Sequence, residues 1–266
     1  MSRNIRLLVS YDGTDFSGWQ RQRHDPTIQG EIERCLSLMT REEIDLHGAG
    51  RTDAGVHAEG MVAHFATKSG ITCHNFLRGL NSMLPGAIRI LDLNEADPDF
   101  HSRFSAIGKC YQYTIYTGKI QPPQKRLYSL HINCDLYLPA INQCMDLLEG
   151  THDFASFENS GSRDKSICTG RGSIRTIYKA EVIEEPPFML VFQFTGDGFL
   201  RNMIRNLVGT LLEAGRGKLS VEEFVEILRA KDRTLAAATA PAHGLCLKEV
   251  LYHPCIREEN PPHFIP

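Results

Sequence analysis

The sequence predicts an α+β fold of two ferredoxin-like halves with a central cleft between them. Three observations predict it. Apolar residues make up 42% and charged residues 23% of the 266 positions, the balance of a globular chain large enough for a sizeable core. In the first part of the chain the hydrophobic pattern runs strand, helix, strand, strand, helix, strand, which is the split β-α-β order. From Lys109 a second set of elements follows a similar order without repeating the residues. The expected halves are residues 1–105 and 106–266, joined near Phe104 to Gly108 with the cleft between them.

The first strand is "IRLLVSY", rich in branched side chains and closed by the turn "YDGTD". Thr27 caps the helix "TIQGEIERCLSLM", whose Ile28, Ile32, Leu36 and Met39 share one face. "IDLHGAG" and "MVAHFAT" read as strands flanking "GAGRTDAGVHAEG", so Asp53 sits on their connection. The helix "CHNFLRGLNSML" and the strand "AIRILDL" complete the first half. In the second half "CYQYTIY" alternates as a half-buried strand with Tyr111 and Tyr113 on one side. A helix, "LPAINQCMDLLEG", and a hairpin of "SIRTIYKAEVIEE" and "FMLVFQFTG" around "EPPF" come next. "FLRNMIRNLVGTLLEAG" carries the strongest helical stripe, Leu200, Met203, Ile204, Leu207, Val208 and Leu211, and the helix "SVEEFVEILRA" follows. Long loops at "GKIQPPQKR" and "ENSGSRDKSICTGRG" are placed to hang over the cleft, and "ENPPHFIP" reads as extended.

Charge and cysteine usage narrow the function classes. A net charge of −3 excludes a generic nucleic-acid coat, whose field must attract phosphates. Between Gly161 and Lys179, however, Arg163, Lys165, Arg171, Arg175 and Lys179 face only Asp164. Such a run is either a solvated loop or an RNA-facing patch. The eight cysteines have no close pairs, which offers neither a zinc knuckle nor a disulfide framework and points to a reducing cytoplasm. The apolar run in "MSRNIRLLVSYDG" is too short for a signal peptide or a membrane span.

Asp53 is the first candidate for chemistry. Small residues let its turn approach a reacting group closely, and Arg51 stands two positions before it. The plainer reading is a turn aspartate that caps its own backbone. In "YDGTDFSGWQRQ" the aromatics Phe16 and Trp19 are expected to plug the core, leaving Arg21 and Arg23 for phosphates. Arg201 and Arg205, at the shoulder of the apolar stripe, need a carboxylate or phosphate partner, the carboxylate being either a structural one such as Asp197 or that of a reacting site. Tyr111 and Tyr113 serve as core rings or as a stacking face for a base. His47, His57 and His64 lack ligand spacing and are read as structural, with no metal.

Five stretches together resemble the tRNA pseudouridine synthase A family: "YDGTDFSGWQ", "GAGRTDAGVHA", "RFSA" followed by "YQY", "FLRNMIRNLVGTL" and "APAHGLCL". They run in order from Tyr11 to Leu247, and "GRTDAGVHA" is the most specific of them. The resemblance implies the pseudouridine synthase fold, with one mixed, mainly antiparallel sheet, a homodimer, and no cofactor or metal. It also implies the substrate, uridines 38, 39 and 40 in the anticodon arm of tRNA. The family's nucleophilic aspartate falls on Asp53 in the first half; its active-site tyrosine falls on Tyr111 and its arginine on Arg205, both in the second. Arg51 and Leu245 then contact the substrate, while Arg21, Arg23, Arg163, Lys165, Arg171 and Arg175 are candidates for the RNA backbone. The chain departs at Met61, where the family commonly has glutamine, and at Lys109 and Cys110, in a stretch where basic residues are usual.

The chemistry so implied breaks the C1′–N1 glycosidic bond and rejoins the sugar to C5, after the base has left its stack. No atom is added or lost. Burial disfavours a charged carboxylate, and a guanidinium partner offsets that, which gives Arg205 a role. Tyr111 is expected to stack on the uracil and to assist removal of the C5 proton. Attack at C1′, attack at C6 and removal of a ribose proton all remain open for Asp53. Two rivals compete: a glycosidase, which usually needs two carboxylates, and a non-catalytic RNA-binding module, which needs no Asp53.

Overall fold

Branched residues at alternating positions place Ile5, Leu7, Val9 and Tyr11 of strand β1 (Arg3–Tyr11) on one buried face. The computed structural model, which describes residues 2–159 and 171–252, builds its first sheet region around this strand. Strands β3 (His57–Thr67) and β4 (Ile88–Ala96) pair antiparallel with β1 on either side, and the two-residue β2 (His47–Gly48) lies beyond β3. Helices α1 (Ile28–Thr40) and α2 (Cys73–Met83) begin at Thr27 and Thr72, whose hydroxyls accept from the N–H groups of Gly30 and Asn75. They cover the buried face, where Phe65 of β3 meets Phe76 of α2 edge to face at 5.7 Å. The spatial order β4-β1-β3-β2 is that of a ferredoxin-like unit.

The second half repeats this order. It contains β5 (Gly108–Tyr116), β6 (Leu130–His131), α3 (Leu138–Asp146), β7 (Gly150–Asp153) and the hairpin of β8 (Ile174–Glu185) with β9 (Met189–Gly196). Helices α4 (Met203–Gly215) and α5 (Val221–Ala230) and strand β10 (Leu245–Leu251) complete it. Its strands lie in the order β10-β5-β9-β8, the same permutation as in the first half. β10 pairs antiparallel with β5, and its Cys246 and Leu247 pair parallel with His57 and Ala58 at the start of β3. That short parallel contact fuses the halves into one ten-stranded sheet among the described residues, over one continuous apolar core. No described helix is long and apolar enough to cross a membrane.

Strands β6, β7 and β10 fall where the sequence predicts none, and two of the predicted elements change their bounds. The strand expected over "IDLHGAG" shrinks to His47 and Gly48, although Ile44 and Leu46 are buried in alternation. Side chains of α1 take its ladder bonds: Leu46 N–H donates to Glu33 Oε1 (3.0 Å), and Gln29 Nε2 donates to Leu46 O (2.9 Å). The second difference is the start of α4, at Met203 rather than Phe199. Asn202 adopts a left-handed φ of 60°, which breaks helical continuity and leaves Arg201 outside the helix. The predicted stripe is buried along its whole length.

Candidate active site

Two glycine-containing loops lie back to back and fix the position of Asp53. Gly18 has a φ of +93°, and a Cβ built on it would sit 2.6 Å from Thr52 O. This closeness permits a backbone clamp in which Trp19 N–H donates to Thr52 O (3.1 Å) and Gly55 N–H to Phe16 O (3.3 Å). Below it, the hydroxyls of Tyr11 and Thr52 share a buried hydrogen bond of 2.8 Å. Trp19 is buried and packs against Gly48, so it plugs the core as its size predicts. Among the described residues the Asp53 carboxylate makes no capping hydrogen bond to its own turn; it faces two arginines.

Asp53 Oδ2 lies 3.8 Å from Arg205 Nη1, and Oδ1 lies 3.8 Å from Arg201 Nε. These are charge contacts, too long for hydrogen bonds, so the carboxylate keeps oxygens open to a third group. Arg205 is held from behind: its Nε donates to Ala240 O (2.7 Å) and its Nη1 to Asn202 Oδ1 (2.8 Å). Burial draws the Arg205 guanidinium below its ordinary pKa, against the opposing pull of Asp53 and Tyr113. Arg201 is mostly exposed. The helix break at Asn202 thus turns one arginine inward on α4 and brings the other to the same carboxylate from a loop.

Tyr111 is buried on β5 opposite Leu247 of β10, with its ring edge-on to Phe199 at 5.3 Å. Burial, and then the charge of Asp53, push its pKa up. Its hydroxyl therefore holds its proton at neutral pH, which favours a packing or donor role over that of a base. Tyr113, on the same face, donates to Pro241 O (2.8 Å) and packs against Gly244. Leu245 is buried opposite Tyr113.

The remaining candidates divide. Arg51 and Arg23 are exposed, while Arg21 pairs with Glu33 at 3.0 Å. Arg171 pairs with Asp197, the acid that sequence reading offered to Arg201 or Arg205. Arg175 Nη1 donates to Gly172 O (3.0 Å) and Ile174 O. Arg163 and Lys165, with most of the loop that carries them, lie outside the described residues. His57 Nδ1 accepts from Gly13 N–H (3.1 Å), and its Nε2 faces Leu127 O (2.9 Å), which docks the end of the "GKIQPPQKR" loop on the first motif. His47 and His64 stack on each other at 5.1 Å, and His101 lies edge-on to His64 at 4.6 Å. The residue that sequence reading left unplaced is Lys109, whose Nζ lies 2.8 Å from where Gly50 would carry a Cβ. Its position before Tyr111 was the available signal.

One carboxylate thus lies between two arginines, beside a buried tyrosine, in a two-half α+β sheet. The family model described as tRNA pseudouridine synthase matches residues 7–105 and 144–253, and the chain belongs to that family. It is 58% identical over 252 residues to tRNA pseudouridine synthase A 1 of Desulfotalea psychrophila, spanning 94% of this chain and 100% of that protein. The tRNA pseudouridine synthase A of Acetivibrio thermocellus is 43% identical over 250 residues, with 94% and 100% covered. That of Geobacillus kaustophilus is 43% identical over 257 residues, with 95% of each chain covered.

Proposed function

We propose that the chain converts uridine to pseudouridine at positions 38, 39 and 40 in the anticodon arm of tRNA, with Asp53 as nucleophile. The observation that carries this reading is the Asp53 carboxylate held 3.8 Å from both Arg201 and Arg205 and still open on its free side. In the reaction the C1′–N1 bond breaks, C1′ bonds to C5, the C5 proton leaves and N1 regains a proton. The balance is closed, so no redox partner or group donor enters. Arg205 orients Asp53 and offsets its charge, and Tyr111 contacts the uracil as a neutral phenol. Arg51 and Leu245 contact the flipped nucleotide, and Arg21, Arg23, Arg171 and Arg175 meet the RNA backbone. The halves divide at residues 105 and 106, and the enzyme works as a cytoplasmic homodimer.

The test is tritium release from tRNA labelled at C5 of uridine. Wild-type protein releases tritium, and Asp53→Asn, which keeps shape but loses charge and nucleophile, falls by at least roughly a thousandfold. Its RNA affinity and Tm stay near wild type. Substantial single-turnover activity in cleanly purified Asp53→Asn would return Asp53 to a structural role.

A further inference from the structure

On the far side of Phe199 from Tyr111 the surface opens into a cavity of about 440 Å³, whose Lys109 and Arg103 have no part in the reading above. Its walls carry Arg103, Lys109, Arg171 and Arg175, with Asp197 as the acid among its lining residues. Asp197 is already paired with Arg171. Lys109 has no hydrogen-bond or carboxylate partner among the described residues. It is mostly covered, and burial, followed by the charges of Arg103, Arg171 and Arg175, pulls its pKa down to about 8. Cationic groups gathered this closely repel one another, and an anion in their midst relieves the repulsion.

Two walls are shared with the reacting site. Phe199, which lines the cavity, packs edge-on against Tyr111, and two residues later Arg201 reaches Asp53. Lys109 Nζ rests against Gly50, three positions before Asp53. At the rim stands Phe104, 77% exposed, with the Arg103 guanidinium 5.8 Å over its ring. A free inorganic anion has no use for such a ring, whereas an unpaired base stacks on one.

We propose that this cavity is a phosphate subsite that holds one backbone phosphodiester of the RNA strand beside the reacting uridine, with Lys109 as its central ligand. The proposal rests on the RNA-acting function above. A phosphate anchored one wall away from Asp53 fixes the strand while the base turns out of its stack, so the flipped uridine arrives in register.

The experiment uses an anticodon-arm stem–loop RNA in which single phosphodiesters near the target are replaced, one at a time, by uncharged methylphosphonates. Wild-type protein should lose roughly 10- to 100-fold in affinity at one linkage and little at the others. Lys109→Met should bind the unmodified RNA weaker by a similar factor and lose nothing more at that linkage. Its salt slope should fall by about one. The Tm of free Lys109→Met should hold or rise, because a crowded cation has been removed; a purely structural lysine would lower it. If no single linkage matters to wild-type protein, or if inorganic phosphate protects Lys109 while every linkage is silent, the subsite is not one for RNA. Tritium release by the wild type on unmodified RNA reports the parent function separately: release with a silent linkage scan overturns only this proposal.

Discussion

Replacing Gly18 by alanine tests whether the backbone clamp positions the Asp53 carboxylate for the proposed reaction. The new Cβ would start 2.6 Å from Thr52 O and 3.1 Å from the Asp53 carbonyl carbon, whereas real Cβ contacts stay beyond 3.0 Å. The Thr52 to Asp53 segment must therefore retreat by about 0.4 Å, or Gly18 must twist out of its φ of +93°. A 1 Å misplacement of a catalytic group costs on the order of a hundredfold in rate, so 0.4 Å scales to roughly fivefold to tenfold. The left-handed φ adds about 1–3 kcal/mol of strain, and each kcal/mol lowers Tm by about 2–4 °C in a chain of this size. Single-turnover tritium release at saturating enzyme separates the two effects, because binding and unfolding drop out of it at a temperature well below Tm. Gly70→Ala is the control, since nothing lies within 4 Å of its added Cβ. If Gly18→Ala loses stability but keeps the wild-type single-turnover rate, the clamp supports the fold and does not aim Asp53.

Arg205 and Lys109 each give further expected outcomes. Arg205→Lys keeps the charge but loses the planar fork that binds Ala240 O and Asn202 Oδ1 together, so the chemical step should slow by roughly a hundredfold with little change in RNA affinity. Combined with Asp53→Asn it should add almost nothing, because groups that act as a unit are not lost twice; a multiplicative double mutant in single-turnover assays rejects the pairing. Lys109 also predicts a pH dependence. Facing Arg103, Arg171 and Arg175, with Asp197 committed to Arg171, its ammonium in the free protein discharges as pH rises through about 8. RNA affinity at constant ionic strength should fall across that range in wild type and not in Lys109→Met. The linked stability moves the other way: the folded pKa lies below the unfolded 10.5, so between about 8 and 10.5 the unfolded chain binds more protons and this group makes the free protein more stable as pH rises. Denaturant titrations of wild type and Lys109→Met over that window check the sign.

Read alone, the sequence determined whatever depends on local periodicity and on closely spaced motifs. The apolar stripe of α4, the alternation that buries Tyr111 with Tyr113, and the βαββαβ order of the first half follow from side-chain spacing of 3.6 and 2, which every folded arrangement of these segments must respect, whereas β10, which completes the second half, was not legible. Asp53 stood out because the small residues on either side of it leave its carboxylate conspicuous. Partner choice was not legible in the same way. Arg201 and Arg205 had two acids to choose from, and only the left-handed Asn202, the crossing of β10 between β3 and β5, and the capture of Asp197 by Arg171 decided for Asp53. The lost strand over Ile44 to Leu46 has the same origin, since Glu33 and Gln29 on α1 take bonds that local pattern assigns to a neighbouring strand. Lys109 stood in the sequence only as a departure from the family pattern, and the fold alone brought Arg103, Arg171 and Arg175 to the cavity it lines. Electrostatic neighbours act through space over a few ångströms, and chain order carries almost no information about which groups will share that distance.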